Sequence, residues 1–223
     1  MEPDVPNNPL LAVFGVKPIG ANRGQPEDFG RSWELKILAH RLGFTGFNAA
    51  PNPEFVMGWN FLDCLSPGEN RYAFDILEGT YQGQKLFVFD YHFLNLAGKN
   101  QEHQYYTILM LIVPEAFPKL TIRAQDLLGH IEEAFDDKDI KFESAEFSKA
   151  YRVRCSDKKF AYDVCNPQMM EFLLANRDLK IEIQGPVISL AFEWLLSVGL
   201  IEINLQRLAQ IRSLMPQYLF AAT

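Results

Sequence analysis

Two aspartates and a histidine fall on two consecutive predicted strands, where their spacing would let them form a chemical site. Residues 72–81 and 84–94 alternate in polarity and are joined by Gln82-Gly83, a pattern typical of a β-hairpin with a two-residue turn. In that register Asp75 lies opposite Asp90, and His92 lies two residues further along the same face. Carboxylates about 5.5 Å apart repel each other by roughly 3 kcal/mol at an effective dielectric of about 20, which a bound cation or a raised pKa would relieve.

Two interpretations of this hairpin stay open. One is a metal or acid–base site formed by Asp75, Asp90 and His92, which would make the protein a small metal-dependent hydrolase. The other is a solvated sheet face, or a register shifted by a bulge at Gly83 that pairs Asp75 with Phe89. We favour the second interpretation because no recognised catalytic spacing accompanies the three residues.

A change in the sign of charge marks the second half of the chain. Residues 132–146 hold seven acidic residues and two lysines, and residues 149–159 hold five basic residues and one aspartate. On an extended strand the two arginines of the basic run share one face, which suits an anion or an acidic partner. The predicted anion-binding or partner-binding site consists of Arg152, Arg154, Lys158 and Lys159. The alternative, which we favour, is that the two runs fold against each other or keep the surface hydrated.

The usual signatures of enzymes and cofactor sites are missing from the sequence. HExxH, GxSxG, GxGxxG and P-loop spacings do not occur. The three cysteines, Cys64, Cys155 and Cys165, form no CxxC pair, which favours free thiols over a disulfide scaffold or a zinc site. We therefore predict no cofactor and no catalytic residue, and we expect that the protein is not an enzyme.

Composition and charge limit the class of protein further. A chain of 223 residues with 48% hydrophobic residues is long and apolar enough to fold. The net charge of −7 disfavours general nucleic-acid binding, because affinity for the phosphate backbone comes mainly from Lys and Arg. The sequence shows no signal-peptide pattern and no stretch apolar enough to span a bilayer, so we expect a cytoplasmic protein. Peripheral membrane association stays open.

The elements that must position these residues are predicted to form an α+β fold, a mainly antiparallel sheet with helices packed on it. Beyond the first hairpin, the predicted strands are residues 105–113, 140–142 and 151–155, and a second hairpin of 179–184 and 187–192 about Gly185-Pro186. The predicted helices are residues 27–42, 124–135, 157–164 with Ser156 as its cap, one that begins at Asn166-Pro167, and 201–214. The helix at 27–42 is expected to bury an apolar stripe of Trp33, Ile37, Leu38 and Leu42.

Residues 1–26 are predicted to form an extended arm in front of a single domain of residues 27–223. Five prolines disfavour helix in this segment. The segment also carries apolar side chains, which a wholly solvated tail would not need, so we expect it to pack on its own domain or on a partner protein. The predicted partner-binding residues of the arm are Leu10, Leu11, Val13 and Phe14.

One block of the sequence resembles a family of uncharacterised bacterial proteins that share a domain of unknown function. Residues 142–175, FESAEFSKAYRVRCSDKKFAYDVCNPQMMEFLLA, carry its pattern of Glu-Phe, Tyr/Phe-x-Val, Phe-Ala and Pro-x-Met-Met-Glu. The hairpin GTYQGQKLFVFDYHF at residues 79–93 resembles the strand pair upstream of that block. The resemblance covers residues 31–215 in order and implies a shared fold without an activity. Some relatives carry membrane segments, and the resemblance does not bring that feature to this chain.

These observations favour a non-catalytic protein-interaction or assembly factor whose partner is another protein. The alternatives are the small metal-dependent hydrolase and a domain that binds a small anionic or apolar ligand. A complex that is lost on deletion of residues 1–26, a bound divalent metal, and a co-purified small molecule would distinguish the three.

Overall fold

Six strands form one antiparallel sheet within residues 29–95, 101–125 and 139–220, which a computed structural model describes. The strands are β1 (Gly46–Asn48), β2 (Glu69–Tyr81), β3 (Gln84–Asn95), β4 (Glu102–Ala124), β5 (Tyr151–Cys155) and β6 (Lys180–Phe192). The order is β1-β2-β3-β4-β5, and β6 pairs with the other edge of β4. The predicted α+β class with a mainly antiparallel sheet is confirmed.

The helices of the described residues lie between and after these strands. They are α1 (Phe29–Arg41), α2 (Pro53–Gly58), α3 (Ala145–Ala150), α4 (Lys158–Val164), α5 (Pro167–Leu174) and α6 (Val198–Leu214), with 3-10 turns at Asp63–Leu65 and Gln217–Phe220. The predicted start at Asn166-Pro167 is confirmed, because the Asn166 side chain accepts the N–H of Met169. The predicted cap of α4 is wrong by one residue, since Asp157 and not Ser156 accepts the N–H of Phe160.

Two predicted elements fall partly or wholly outside the described residues. The arm at residues 1–26 lies outside them. So does most of the helix predicted at residues 124–135, whose first residue, Ala124, is the last residue of β4 instead.

The sheet buries apolar side chains on both faces. Helices α1, α4, α5 and α6 cover one face, where Leu77, Val88 and Leu109 contribute to the larger core. The turn region around α2 covers the other face, where the alternating aromatic residues of β3, Phe87, Phe89, Tyr91 and Phe93, are buried. Polar side chains on the covered faces must therefore find partners inside the fold.

The second predicted hairpin, about Gly185-Pro186, is wrong, because residues 180–192 form one strand whose two halves both pair with β4. The chain does change direction there. Gly185 has a φ of 54°, and the register with β4 shifts on both sides of its pair with Phe117. The side chains of Lys180 and Glu193 meet at 3.0 Å although they are 13 positions apart, a distance that a straight strand would extend to about 40 Å. Strands β4 and β6 therefore bend together.

Candidate functional site

The two aspartates of the first hairpin do not face each other. The register that starts at Tyr81↔Gln84 shifts after Leu77↔Val88, so Phe74 and not Asp75 lies opposite Asp90. The shift is a bulge on β2 that contains Asp75, whose φ of 49° lies in the left-handed region that aspartate tolerates better than most residues. The predicted pairing of Asp75 with Asp90 is wrong, and the bulge lies at Asp75 rather than at Gly83.

Asp90 is buried and accepts hydrogen bonds from two neighbouring elements. Arg31 of α1 donates from Nε to Oδ2 at 2.7 Å and from Nη2 to Oδ1 at 2.9 Å. Thr107 of β4 donates from Oγ1 to Oδ1 at 2.7 Å. Arg31 also donates from Nη1 to the Leu196 carbonyl at 2.6 Å. Because a bidentate arginine–carboxylate pair is both strong and geometrically specific, this network fixes α1 to β3, β4 and the segment before α6.

Asp75 and His92 have contacts of their own. Ser32 donates from Oγ to Asp75 Oδ1 at 2.6 Å. His92 Nδ1 lies 3.2 Å from the Asn70 carbonyl, and its Nε2 lies 2.8 Å from His103 Nδ1. Within the described part of the chain, no group of three or more His, Cys, Asp or Glu side chains is placed to hold a metal ion. Metal binding by the three hairpin residues stays a prediction that this geometry does not support.

His92 is the centre of a group of stacked rings on the same face as Asp90. The ring of Tyr72 stacks on His92 with centroids 4.4 Å apart, and the ring of Tyr105 lies 5.0 Å away. A carbonyl only accepts, so the contact with Asn70 puts a proton on His92 Nδ1 and leaves Nε2 to accept from His103. Burial lowers the pKa of His92, the Asn70 carbonyl opposes this change, and the neighbouring His103 lowers the pKa further. The neutral form of His92 is therefore the one that fits this site.

The arginines of β5 contact the acidic run. Asp139 Oδ1 accepts from Arg154 Nε at 2.7 Å, and Asp139 Oδ2 lies 3.2 Å from Arg152 Nε. The structure thus shows, at Asp139, the pairing of the two charged runs that the sequence favoured. Lys158 and Lys159 are exposed at the start of α4. An anion-binding or partner-binding role for these four basic residues stays a prediction.

A buried polar cluster that the sequence did not indicate lies inside the bend of β6. The Glu182 carboxylate accepts the backbone N–H groups of Asp63 and Cys64 at 2.7 and 3.0 Å, and Ser189 Oγ donates to the Glu182 carbonyl. Burial raises the pKa of the Cys64 thiol, and the Glu182 carboxylate raises it further. A thiol held in its protonated form is a poor nucleophile, so the cluster caps the turn at Asp63–Leu65 rather than forming a reactive centre.

Helix α1 exposes two large apolar side chains on the side away from the core. Leu35 and Leu38 are buried, whereas Trp33 is 61% and Ile37 is 51% exposed. The predicted burial of Trp33 and Ile37 is therefore wrong. Their i, i+4 spacing places them next to each other on the helix, and we call this surface the Trp33–Ile37 ridge. The ridge leaves apolar area on the helix surface that the described part of the fold does not cover.

Fold and site together define an α+β protein in which the buried charged residues connect secondary-structure elements. No family model and no curated protein matches this chain. The fold is similar to that in the crystal structure of the mycobacterial trehalose monomycolate transport factor A, TtfA, with a TM-score of 0.62 and 13% sequence identity over 87% of this chain and 98% of that chain. At this identity the likeness shows the fold alone. These findings agree with the resemblance to uncharacterised proteins and add no activity to it.

Among the helices of residues 29–95, 101–125 and 139–220, none is both long enough and apolar enough to cross a bilayer.

Proposed function

We propose that this protein is a non-catalytic accessory factor that acts by binding another protein, and that the Trp33–Ile37 ridge is part of its contact surface. This proposal rests on the exposure of the ridge to solvent. Helix α1 already buries Leu35, Leu38 and Ala39 against the sheet, so a second apolar surface on its outer side adds nothing to the core. Fully burying a large apolar side chain contributes about 1.5–3 kcal/mol, and because Trp33 and Ile37 are 61% and 51% exposed, a partner that covers both would gain about this amount in total.

The sequence before α1 supports a larger contact surface. Helix α1 begins at Phe29, and the apolar residues Leu10, Leu11, Val13 and Phe14 precede it. A chain of 15 residues spans at most about 50 Å, so these side chains can reach the same partner that covers the ridge. We therefore propose that the arm and the ridge bind one partner.

The similarity in fold to TtfA supports an accessory role, because that protein is named as a transport factor. The buried Arg31–Asp90 pair and the protonated Cys64 thiol support the same proposal, since both groups are used to hold the fold.

The test compares the partners that the full chain captures under native conditions. We expect the double variant Trp33→Ser/Ile37→Ser to lose at least 90% of the partner, a tenfold loss in affinity or about 1.4 kcal/mol, while its thermal midpoint stays within about 2 °C of the original. Met57→Ser is the matched control, because Met57 of α2 is 69% exposed but lies outside the ridge. Deletion of residues 1–26 measures the contribution of the arm separately.

Two results would contradict the proposal. One is capture of the same partners in the same amounts by the ridge variant and by Met57→Ser. The other is a stoichiometric divalent metal in the purified protein that Asp90→Asn removes, which would favour the hydrolase alternative. Quantitative mass spectrometry of the captured proteins measures the first, and native mass spectrometry measures the second.

A further inference from the structure

A row of basic side chains crosses the sheet inside the bend of β4 and β6. Arg123 of β4 is the register partner of Arg152 on β5 and of Lys180 on β6. Side chains at directly opposed positions point to the same face with Cβ atoms about 4.5–5.5 Å apart, so three cations stand side by side. Like charges in this arrangement destabilise a sheet unless negative charge compensates them.

The three cations of this row differ in whether an acidic side chain lies next to them. Arg152 lies 3.2 Å from Asp139, and Lys180 contacts Glu193 at 3.0 Å. In contrast, no hydrogen bond or ion pair joins the half-buried Arg123 guanidinium to another residue of the described segments. Its five N–H donors therefore remain available in a partly dehydrated position, where an anionic ligand gains the most from them.

The bend brings a tyrosine to the same place. Thr107 is the register partner of Phe192, which places Tyr106 next to Glu193, and Glu193 contacts Lys180 at 3.0 Å. Burial and, to a smaller extent, the Glu193 charge raise the pKa of Tyr106 to about 12, and Arg123 lowers it. The ring is held in place by Phe93, with centroids 5.2 Å apart. At neutral pH the Tyr106 hydroxyl is protonated and is able to donate a hydrogen bond.

We propose that the inner side of the bend binds an oxyanion, a phosphate or a carboxylate, with the Arg123 guanidinium as its main contact and Lys180 and the Tyr106 hydroxyl completing the donor set. The planar guanidinium matches two oxygens of either group, and the ammonium adds a second positive charge. The site, which we call the Arg123 site, lies on the sheet face opposite to α1, because the neighbouring Ile122 and Ala124 point into the core on the α1 face. It is therefore separate from the Trp33–Ile37 ridge and does not depend on the proposed partner.

Inorganic phosphate is the probe for the first experiment. The full chain is titrated with phosphate at constant ionic strength, affinity is measured by calorimetry, and the Nε–H signals of the arginines are followed by NMR. We expect saturable binding and a shift of the Arg123 signal. Arg123→Gln weakens binding at least tenfold and Lys180→Gln severalfold, whereas Lys36→Gln, which removes the same charge from an exposed position on α1, changes it less than twofold.

A second titration with acetate separates the two oxyanions. Stronger binding of phosphate than of acetate assigns a phosphate-bearing ligand, and the reverse order assigns a carboxylate. Non-saturable binding of both probes would overturn the proposal. An equal effect of Arg123→Gln and Lys36→Gln would also overturn it. If Arg123→Gln does not fold, the signals of the original chain decide, because a stationary Arg123 Nε–H signal at saturating phosphate contradicts the site.

Discussion

The Arg31 guanidinium and the Asp90 carboxylate are joined by two hydrogen bonds of 2.7 and 2.9 Å, across 59 positions of sequence. Their side chains are only 9% and 2% exposed, so the pair is a buried connection between α1 and the centre of the sheet. The Trp33–Ile37 ridge begins two residues after Arg31. This ion pair therefore helps to position the proposed contact surface.

Loss of Arg31 should be strongly destabilising. In Arg31→Ala the Asp90 carboxylate stays buried with Thr107 as its remaining donor among the contacts above, and breaking a buried pair in this way costs about 3–5 kcal/mol. Urea denaturation monitored by circular dichroism measures the change in the free energy of unfolding. Arg41→Ala is the control, because its pair with Glu202 is exposed and contributes at most about 1 kcal/mol. Equal costs for both variants would contradict the role of the Arg31–Asp90 pair.

His92 should make the folded state sensitive to acid. Burial holds its pKa below the ordinary value of 6.5, so the folded state binds fewer protons than the unfolded state. The contribution of His92 is therefore fully present above about pH 6.5 and is lost as the pH falls toward the lower pKa of the folded state. We expect the free energy of unfolding to fall less steeply between pH 7.5 and 5.5 in His92→Phe than in the original chain.

The comparison for this prediction is His40→Gln, which removes a histidine from an exposed position of α1. Denaturation curves at several pH values, recorded for both variants, give the slope of stability against pH. The same slope for His92→Phe and His40→Gln would contradict the assignment.

Local patterns in the sequence predicted the local parts of the fold. The dipeptide Gln82-Gly83 predicted the first hairpin because a two-residue turn also sets the pairing of the residues next to it. The dipeptide Asn166-Pro167 predicted a helix start because the Asn166 side chain itself caps the helix. The same patterns failed where the structure of a segment depends on pairing with residues far away in the sequence. Residues 180–192 carry a turn signal at Gly185-Pro186, but they form one strand whose two halves both bond to β4, so the turn signal alone predicted the wrong connection.

The candidate site was predictable only in part, for the same reason. Asp90 stands out in the sequence because it lies in a clear hairpin, but its partner is 59 positions away, and Glu182 lies 118 positions from Cys64. The sequence did not indicate Arg123, because its significance comes from its register with two other strands. The exposure of Trp33 depends on which side of α1 packs on the sheet, and helical spacing alone does not give that side.

The cap of α4 allows a direct comparison of two adjacent residues. Asp157 accepts the N–H of Phe160 at 3.1 Å, so Asp157→Ala leaves a donor of the first turn without this partner and should cost about 1 kcal/mol. Ser156→Ala should change stability by less than about 0.5 kcal/mol, because Ser156 is an exposed residue outside the cap. Chemical denaturation of the two variants checks the prediction, and a larger loss in Ser156→Ala would contradict it.

Substitution of two glycines by alanine should change the stability of the protein in opposite directions. A methyl group at Gly79 of β2 would overlap the ring of Phe44, so Gly79→Ala should destabilise the protein by about 1–3 kcal/mol. A methyl group at Gly199 in the first turn of α6 meets no atom within 4 Å, so Gly199→Ala should stabilise the helix by about 0.5–1 kcal/mol. The thermal midpoints of the two variants, measured in the same buffer, should therefore move apart. A rise in the midpoint of Gly79→Ala would contradict the close packing of Phe44.

The length of strand β4 also has a consequence for the chain while it is being synthesised on the ribosome. Its 23 residues are synthesised early, and β3 is available at once as a partner for the first half. The opposite edge waits for Lys180–Phe192, which leave the ribosome only after α3, α4 and α5. During that interval the nascent chain presents a long unpaired edge, and such edges recruit other strands. The speed of translation between Ala124 and Phe192 therefore sets how long each new chain is open to aggregation.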